Sequence, residues 1–387
     1  MNKKKINPAF ASVPVFLAFL CMGFGDVAGT LTDLVKDEYH LTNFMAGFVP
    51  ASGFVMFGLL SVPFSLIMAR QGKKKILALG LIIALLGLVI PVVFGFSLFS
   101  VLLLSILLLG AGAALLQVAG NPIMRDVSPE GKYSRNLSFG QFVKAIGSLS
   151  GALIPAAAAA WFGMDWKLLF PIYAVAIGIT TVILLLIPIR EKAMPDVPPS
   201  LLSCLNLLRK PGIAIMVLAI FLYVGAEVSM ASKLPSYLEN NYGLDIDKLG
   251  VASVGLFFLT IMIGRFLGGI ILNWIKAPVF LLSTTIIALL GIGGLFLHSQ
   301  TVAISSIILI GLGFANIFPL IFSITVDKHP EYTNELSGLM VTAIIGGAVL
   351  PLIMGKVADI TSVTFSFIVP GIAILYTIFV ALKTQNA

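Results

Sequence analysis

Continuous apolar runs alternate with short charged connections along the whole chain. The runs are about twenty residues long, the length that crosses a hydrocarbon core as a helix. Twelve can be placed, at residues 13–35, 44–69, 76–96, 98–124, 137–162, 168–189, 213–238, 251–275, 279–297, 302–326, 336–357 and 363–382. An outer-membrane barrel would instead need segments of about ten residues with alternating polarity. The expected fold is an all-α membrane protein with twelve transmembrane helices in two six-helix bundles. The longest polar connection, from Arg190 to Pro211, follows the sixth run and is rich in proline and charge. It divides the chain into an N-terminal bundle at 1–189, a linker at 190–212 and a C-terminal bundle at 213–387.

The two halves echo one another. Gly25-Asp26-Val27 in the first run resembles Ala226-Glu227-Val228 in the seventh, and Gly147 to Pro155 in the fifth resembles Gly346 to Pro351 in the eleventh. Asn121-Pro122 closes the fourth run, and Asn316 with Phe318-Pro319 lies in the tenth. Parallel repeats with sites between them near the midplane suit a transporter. Small residues such as Gly110, Gly112, Gly147, Gly264, Gly268 and Gly346 read first as helix-packing positions. Pro50, Pro63, Pro91, Pro155, Pro171, Pro319 and Pro351 fall within runs and are expected to bend them.

Composition agrees. The 387 residues are 59% hydrophobic and 11% charged, against about 25% charged in a soluble domain. The net charge of +7 does not point to nucleic acid, because the lysines and arginines flank membrane runs. With the N-terminus cytoplasmic, 17 of the 24 lie on that side and four on the other, Lys36, Lys167, Lys248 and Lys356. The remaining three, Lys144, Lys233 and Arg265, lie inside runs. Both termini are therefore expected in the cytoplasm, and the protein in a bacterial-type inner membrane. The start, MNKKKINPAFAS, is a basic flank before a run too long for a signal core, so no cleaved leader is expected. Cys21 and Cys204 show no spacing motif, and no disulfide is expected.

The candidate chemistry lies in polar side chains within the runs. A charge at the bilayer centre costs about 2.5–3.5 kcal/mol on insertion scales, so such residues mark functional paths. Six are present: Asp26, Asp33, Lys144, Glu227, Lys233 and Arg265. Depth places Asp26 and Glu227 near the midplane, and Asp33 and Lys233 near the far surface. Asp26, Glu227, Lys144 and Asp33 are the ion-coupling candidates. Asp26 with Lys144 is a plausible pair, either a switch or a device fixing helix register. Arg265 reads as a structural charge tying its helix to neighbouring carbonyls. Gln117 and Asn121 share one helix face, and Gln141 lies one turn before Lys144. With Asn316 they offer amides that both donate and accept, which suits sugar hydroxyls. Gln117, Asn121, Gln141, Lys144, Asn316 and Tyr223 are the substrate-binding candidates, with Phe139, Phe142 and Phe318 as aromatic neighbours. No catalytic constellation emerges. His40, His298 and His329 are scattered, so no metal site is expected. No Walker A motif is present, and no cofactor is called for.

ALLQVAGNP at 114–122, followed by RNLSFGQFVKAIGSLSG, resembles the fourth-to-fifth-span signature of fucose permease and its glucose/galactose relatives. These are sugar:proton symporters of the major facilitator superfamily. LTNFMAG at 41–47, FLYVGAEVSMAS at 221–232, GRFLGG at 264–269, GLGFANIFPLIFS at 311–323 and IIGGAVLPLIMGKVAD at 344–359 extend the resemblance over both halves. It implies the major facilitator fold. The family often carries Glu where this chain has Gln117, and Asn where it has Lys144. Ala69 stands where an Asp is usual in the loop after the second span. The family's first-span acid maps to Asp33 or Asp26. A buried cation without an acidic partner on the fourth span suggests a substrate bearing a carboxylate.

The function expected is alternating-access uptake of a sugar, or an acidic or amino sugar derivative, coupled to H⁺ or Na⁺. The protein is expected to act as a monomer in the bilayer, without enzymatic activity. An exporter of amphipathic compounds and a transporter-fold sensor are the alternatives.

Overall fold

The computed structural model describes residues 8–42, 45, 48–191, 199–243 and 251–385. Lys3, Lys4, Lys5, Lys192 and Lys248 of the charge balance, and most of the LTNFMAG motif, lie outside the described residues. Among those described, regular structure is helical throughout. Eleven helical stretches are long and apolar enough to cross a bilayer: Ser12–Gly29, Phe48–Gln71, Lys73–Phe94, Phe99–Val127, Tyr133–Phe162, Trp166–Leu186, Pro211–Tyr242, Ala277–Gly294, Gln300–Lys328, Pro330–Ile360 and Val363–Gln385. A shorter apolar helix, Gly255–Ile271, occupies the place of the eighth expected span. Backbone polar groups inside lipid must be satisfied internally, which leaves helices as the natural outcome for these runs. Gly163 and Gly243, at φ 59° and 63°, end the fifth and seventh spans in the left-handed turn that glycine adopts freely.

Two compact units form. The first comprises Met1–Asn136, Val143–Cys204 and Glu331–Thr342; the second comprises Leu137–Phe142, Leu205–Pro330 and Ala343–Ala387. The fifth and eleventh spans each contribute a short segment to one unit and the remainder to the other.

In the first unit, close backbone approach fixes the first span on the fifth. A Cβ at Gly23 would lie 2.1 Å from the Lys144 carbonyl oxygen, and one at Gly147 would lie 2.2 Å from that of Leu20. A Cβ at Gly25 would meet Ala113 of the fourth span at 2.6 Å. Gly147→Ala should therefore push two helices apart at a cost of ~1–3 kcal/mol. Thermal unfolding in detergent should fall by several degrees, whereas Gly29→Ala, with open space around it, should melt like the parent. Equal melting of both variants would contradict this packing. In the second unit, Gly346 presses likewise on the Phe221 carbonyl.

The segment that reads as a polar linker holds a helix at Leu201–Leu207. Ser200 and Ser203 start it reciprocally. The Ser203 amide donates to Ser200 Oγ at 3.1 Å, and the Ser200 amide donates to Ser203 Oγ at 2.9 Å. This has the logic of a capping box. Cys204 is fully buried there rather than placed in a loop. Burial pushes its thiol up to about 11, and the charge of Glu335 adds to the rise. Pro50 and Pro171 also depart from expectation. Each is the third residue of its helix, in the first turn, where no N–H is needed and no bend is imposed.

Lys73 is more than a loop cation. It opens the third span, is nearly buried, and its Nζ pairs with Asp126 Oδ2 at the end of the fourth. Glu191 accepts from the Lys73 and Lys74 amides at 2.6 and 3.0 Å, a carboxylate at a helix N-terminus.

Candidate functional site

In the first unit, the first span is α-helical to Gly23 and tightens to a 3₁₀ turn at Phe24–Asp26 before resuming. Such a turn inside a helix often marks a hinge. It leaves the Asp26 side chain 43% exposed. Lys144 Nζ lies 3.2 Å from Asp26 Oδ2. Ser148 Oγ lies 2.7 Å from the same oxygen and 3.2 Å from the Lys144 carbonyl, so it can donate to either. The pair that sequence depth makes plausible is thus formed, but it is partly exposed rather than dry. Beside it, the ring of Phe24 stacks on Tyr173 at 3.8 Å, and the Tyr173 hydroxyl meets Ser150 Oγ at 2.7 Å.

Gln117 and Asn121 are buried on the fourth span. Their surroundings are braced through the main chain. Ser337 Oγ donates to the Val118 carbonyl at 2.7 Å, and the Tyr133 hydroxyl donates to that of Asn121 at 3.0 Å. Their side chains are less committed. Gln117 Oε1 and both amide atoms of Asn121 lack a hydrogen-bond partner among the described residues. Unmet buried polar atoms cost ~1–3 kcal/mol each, so these positions suit a hydroxyl-bearing ligand. The Asp33 side chain lies outside the described residues.

In the second unit, Arg265 is the hub. Its Nη2 lies 3.5 Å from Glu227 Oε1, and both side chains are largely buried. Nε donates to the Ala315 carbonyl at 3.3 Å, and Nη1 donates to that of Gln141 at 3.4 Å. The first of these has a cause in the sequence. Pro319 has no N–H, so it cannot serve the carbonyl four residues before it, which is that of Ala315. The tenth span breaks there into Gln300–Phe314 and Ile317–Lys328. The Tyr223 hydroxyl donates to the adjacent Phe314 carbonyl at 2.9 Å. Arg265 and Tyr223 together supply two donors at the break. Asn316 Nδ2 donates to the Gly264 carbonyl at 2.7 Å, while its Oδ1 and Gln141 Nε2 are buried without partners among the described residues. Phe139 and Phe142 pack on Phe266, with centroids 6.1 and 5.2 Å away.

The sequence candidates therefore sort into two clusters, Asp26 with Lys144 and Glu227 with Arg265, Tyr223 and Asn316. Gln141 joins the second through its carbonyl. The fully buried Tyr223 spends its hydroxyl on the main chain. Sequence reasoning missed the Glu227–Arg265 pair, although both residues sit at mid-depth in consecutive spans. It also missed Ser148 as a partner of Asp26, and Tyr173. Among the described residues, no group of three or more His, Cys, Asp or Glu could hold a metal ion.

The profile of the Major Facilitator Superfamily matches residues 15–344. A glucose/galactose transporter from Brucella abortus biovar 1 (strain 9-941) is 26% identical over 397 residues, covering 97% of this chain and 94% of that protein. An L-fucose-proton symporter from Haemophilus influenzae (strain ATCC 51907 / DSM 11121 / KW20 / Rd) is 23% identical, covering 96% of each. Among solved structures, the transporter FucP in its outward conformation superposes with a TM-score of 0.83 at 19% identity, over 97% of this chain and 99% of that one.

Proposed function

Because the chain belongs to the major facilitator superfamily, we propose that it takes up a neutral monosaccharide together with protons by alternating access. The observation that carries this reading is the end-to-end likeness to proteins named as glucose/galactose transporters and L-fucose-proton symporters. Neutrality of the substrate rests on charge balance. Lys144 and Arg265 each have a carboxylate partner in their own unit. With Asp26 and Glu227 ionised, neither is left as a lone cation to hold a substrate carboxylate, which favours a neutral sugar over the sugar acid that the sequence suggests.

In this reading Asp26 is the coupling acid of the first span, with Asp33 as the alternative. A proton on Asp26 removes the partner of Lys144, whose ammonium then donates to a sugar hydroxyl. The loaded and empty carriers thereby favour different conformations. Gln117, Asn121, Gln141 and Asn316 are the substrate-binding candidates, Gln117 and Asn121 in the first unit and Gln141 and Asn316 in the second. Glu227, Arg265 and Tyr223 brace the tenth span, with Glu227 a second titratable group. No catalytic step is assigned. The test is counterflow in proteoliposomes against glucose, galactose, fucose and the corresponding uronic acids. Exchange of neutral sugars with proton uptake is expected. Exchange of uronic acids alone, or a requirement for Na⁺, would overturn the reading.

The proposal includes two six-helix halves, 1–189 and 213–387, in one monomer, with both termini and the 190–212 linker on the cytoplasmic face of a bacterial inner membrane. A Cys at exposed Ser200 should resist an impermeant thiol reagent in whole cells. The buried native Cys21 and Cys204 should contribute little background. Rapid labelling from outside would reverse the orientation. Gln117→Glu should add a titratable carboxylate to the fourth span. The pH profile of uptake should then gain a second inflection. Intact transport with the parent's profile would remove Gln117 from the coupling path.

A further inference from the structure

The helix Leu201–Leu207 presents two unlike faces. Cys204 and Leu207 are buried, at 0% and 4% exposed. This face is therefore covered by protein. The opposite face is apolar and uncovered. Leu201, Leu202, Leu205 and Leu208 are 57, 65, 51 and 36% exposed. Leu201, Leu205 and Leu208 recur at the i, i+4, i+7 spacing of one helical stripe, and Leu202 flanks it. At about 10 Å, seven residues are far too short to cross a bilayer. The stripe is followed at once by exposed Arg209 and Lys210, and no acidic residue occurs from Pro199 to Gly212.

A short helix with an apolar stripe, basic residues at its end and no acid fits one environment closely, the boundary between acyl chains and anionic headgroups. The sixth span leads toward this segment with Leu185 and Leu186, themselves 59% and 75% exposed. We propose that Leu201–Leu207 docks in the headgroup layer of the leaflet on its own side, its leucines on the acyl boundary and Arg209 and Lys210 on anionic phosphate headgroups. The cytoplasmic leaflet is negatively charged and would supply such headgroups, if the orientation proposed above holds. The element would make transport sensitive to anionic lipid, because the linker joins the two halves.

The experiment uses the full chain with a spin label at Leu202→Cys, and at Ser200→Cys as an aqueous reference. Each is reconstituted in phosphatidylcholine vesicles with and without phosphatidylglycerol. The lipid is the same in both leaflets, so the outcome is independent of orientation and of the substrate. The label at 202 should collide with oxygen more than with a water-soluble nickel chelate, and the label at 200 should do the reverse. The contrast at 202 should grow several-fold with phosphatidylglycerol, and Arg209→Gln with Lys210→Gln should remove that growth. Equal access of the chelate to both positions would put the helix in water. Shielding of position 202 from both reagents would mean that protein, such as a second copy, covers it. An oxygen-rich signal indifferent to phosphatidylglycerol would remove the anionic headgroup. Each of these three results overturns the proposal.

Discussion

Lys144→Ala should abolish concentrative sugar uptake, while Asp26→Asn combined with Lys144→Ala should recover folding and part of the exchange activity. The order is unusual, since the double variant loses more polar groups than the single one. It follows from the pair. Lys144→Ala leaves Asp26 with Ser148 as its one remaining partner among the described residues, and with no counter-ion on the fifth span. Breaking a buried pair on one side costs ~3–5 kcal/mol. Asp26 is half-exposed, so the cost here should be smaller, but ~1.4 kcal/mol already shifts an equilibrium tenfold. The unpaired Asp26 would bias the carrier toward one conformation. Lys144→Arg keeps the charge without the compact ammonium and should be only partly tolerated. Asp26→Asn alone frees the Lys144 cation, and should bind uronic acids that the parent refuses. Sugar binding and exchange by the four variants and the parent, at equal expression, check the series. Parent-like uptake by Lys144→Ala would reduce the residue to packing and end the coupling scheme.

Arg265→Ala should be the most destabilising single change among the intramembrane charges. It removes the partner of Glu227 and the donor to the Ala315 carbonyl together. Both groups are buried, so the ~3–5 kcal/mol of a broken buried pair applies more fully than at Asp26. The expected result is little monodisperse protein in detergent. Two second-site changes separate the causes. Glu227→Gln removes the stranded charge, and Pro319→Ala restores the N–H that the Ala315 carbonyl lacks. Arg265→Ala with both changes should recover folded protein, and with either one should recover part. If Pro319→Ala has no effect on that background, Arg265 serves the ion pair alone, and the explanation of the break in the tenth span fails.

The spans were legible because lipid imposes one requirement on every residue of a run. Apolar length alone therefore placed twelve helices, and unusual motifs placed the family. Pairing was only half legible. Asp26 with Lys144 could be named from depth, because a cation in the fifth span demanded a partner. Glu227 with Arg265 was open to the same argument, yet Arg265 was assigned to carbonyls. It reaches those as well as the acid. The helix at Leu201–Leu207 was hidden by its surroundings. Prolines and charges on both sides gave the segment a loop's composition, and its start depends on two serines bonding reciprocally. The exposure of Asp26 was beyond reach, since it depends on how the first span packs around a 3₁₀ turn.

The donors at the broken tenth span also bear on how the chain is made. Tyr223 precedes the Phe314 carbonyl by 91 residues, and Arg265 precedes that of Ala315 by 50. Both donors have left the ribosome before the carbonyls that need them. Glu227 is earlier still than Arg265, so the cation emerges with its counter-ion already synthesised. In the first half the acid also precedes its cation, but the wait is longer. Asp26 is made 122 residues ahead of Ser148, and nearly as far ahead of Lys144. At ~5–20 residues per second, its partners arrive about 6–24 s later. During that interval the first span carries Asp26 without its counter-ion and must be held by the insertion machinery. Nascent chains arrested before the fifth span should therefore be the ones most exposed to quality control.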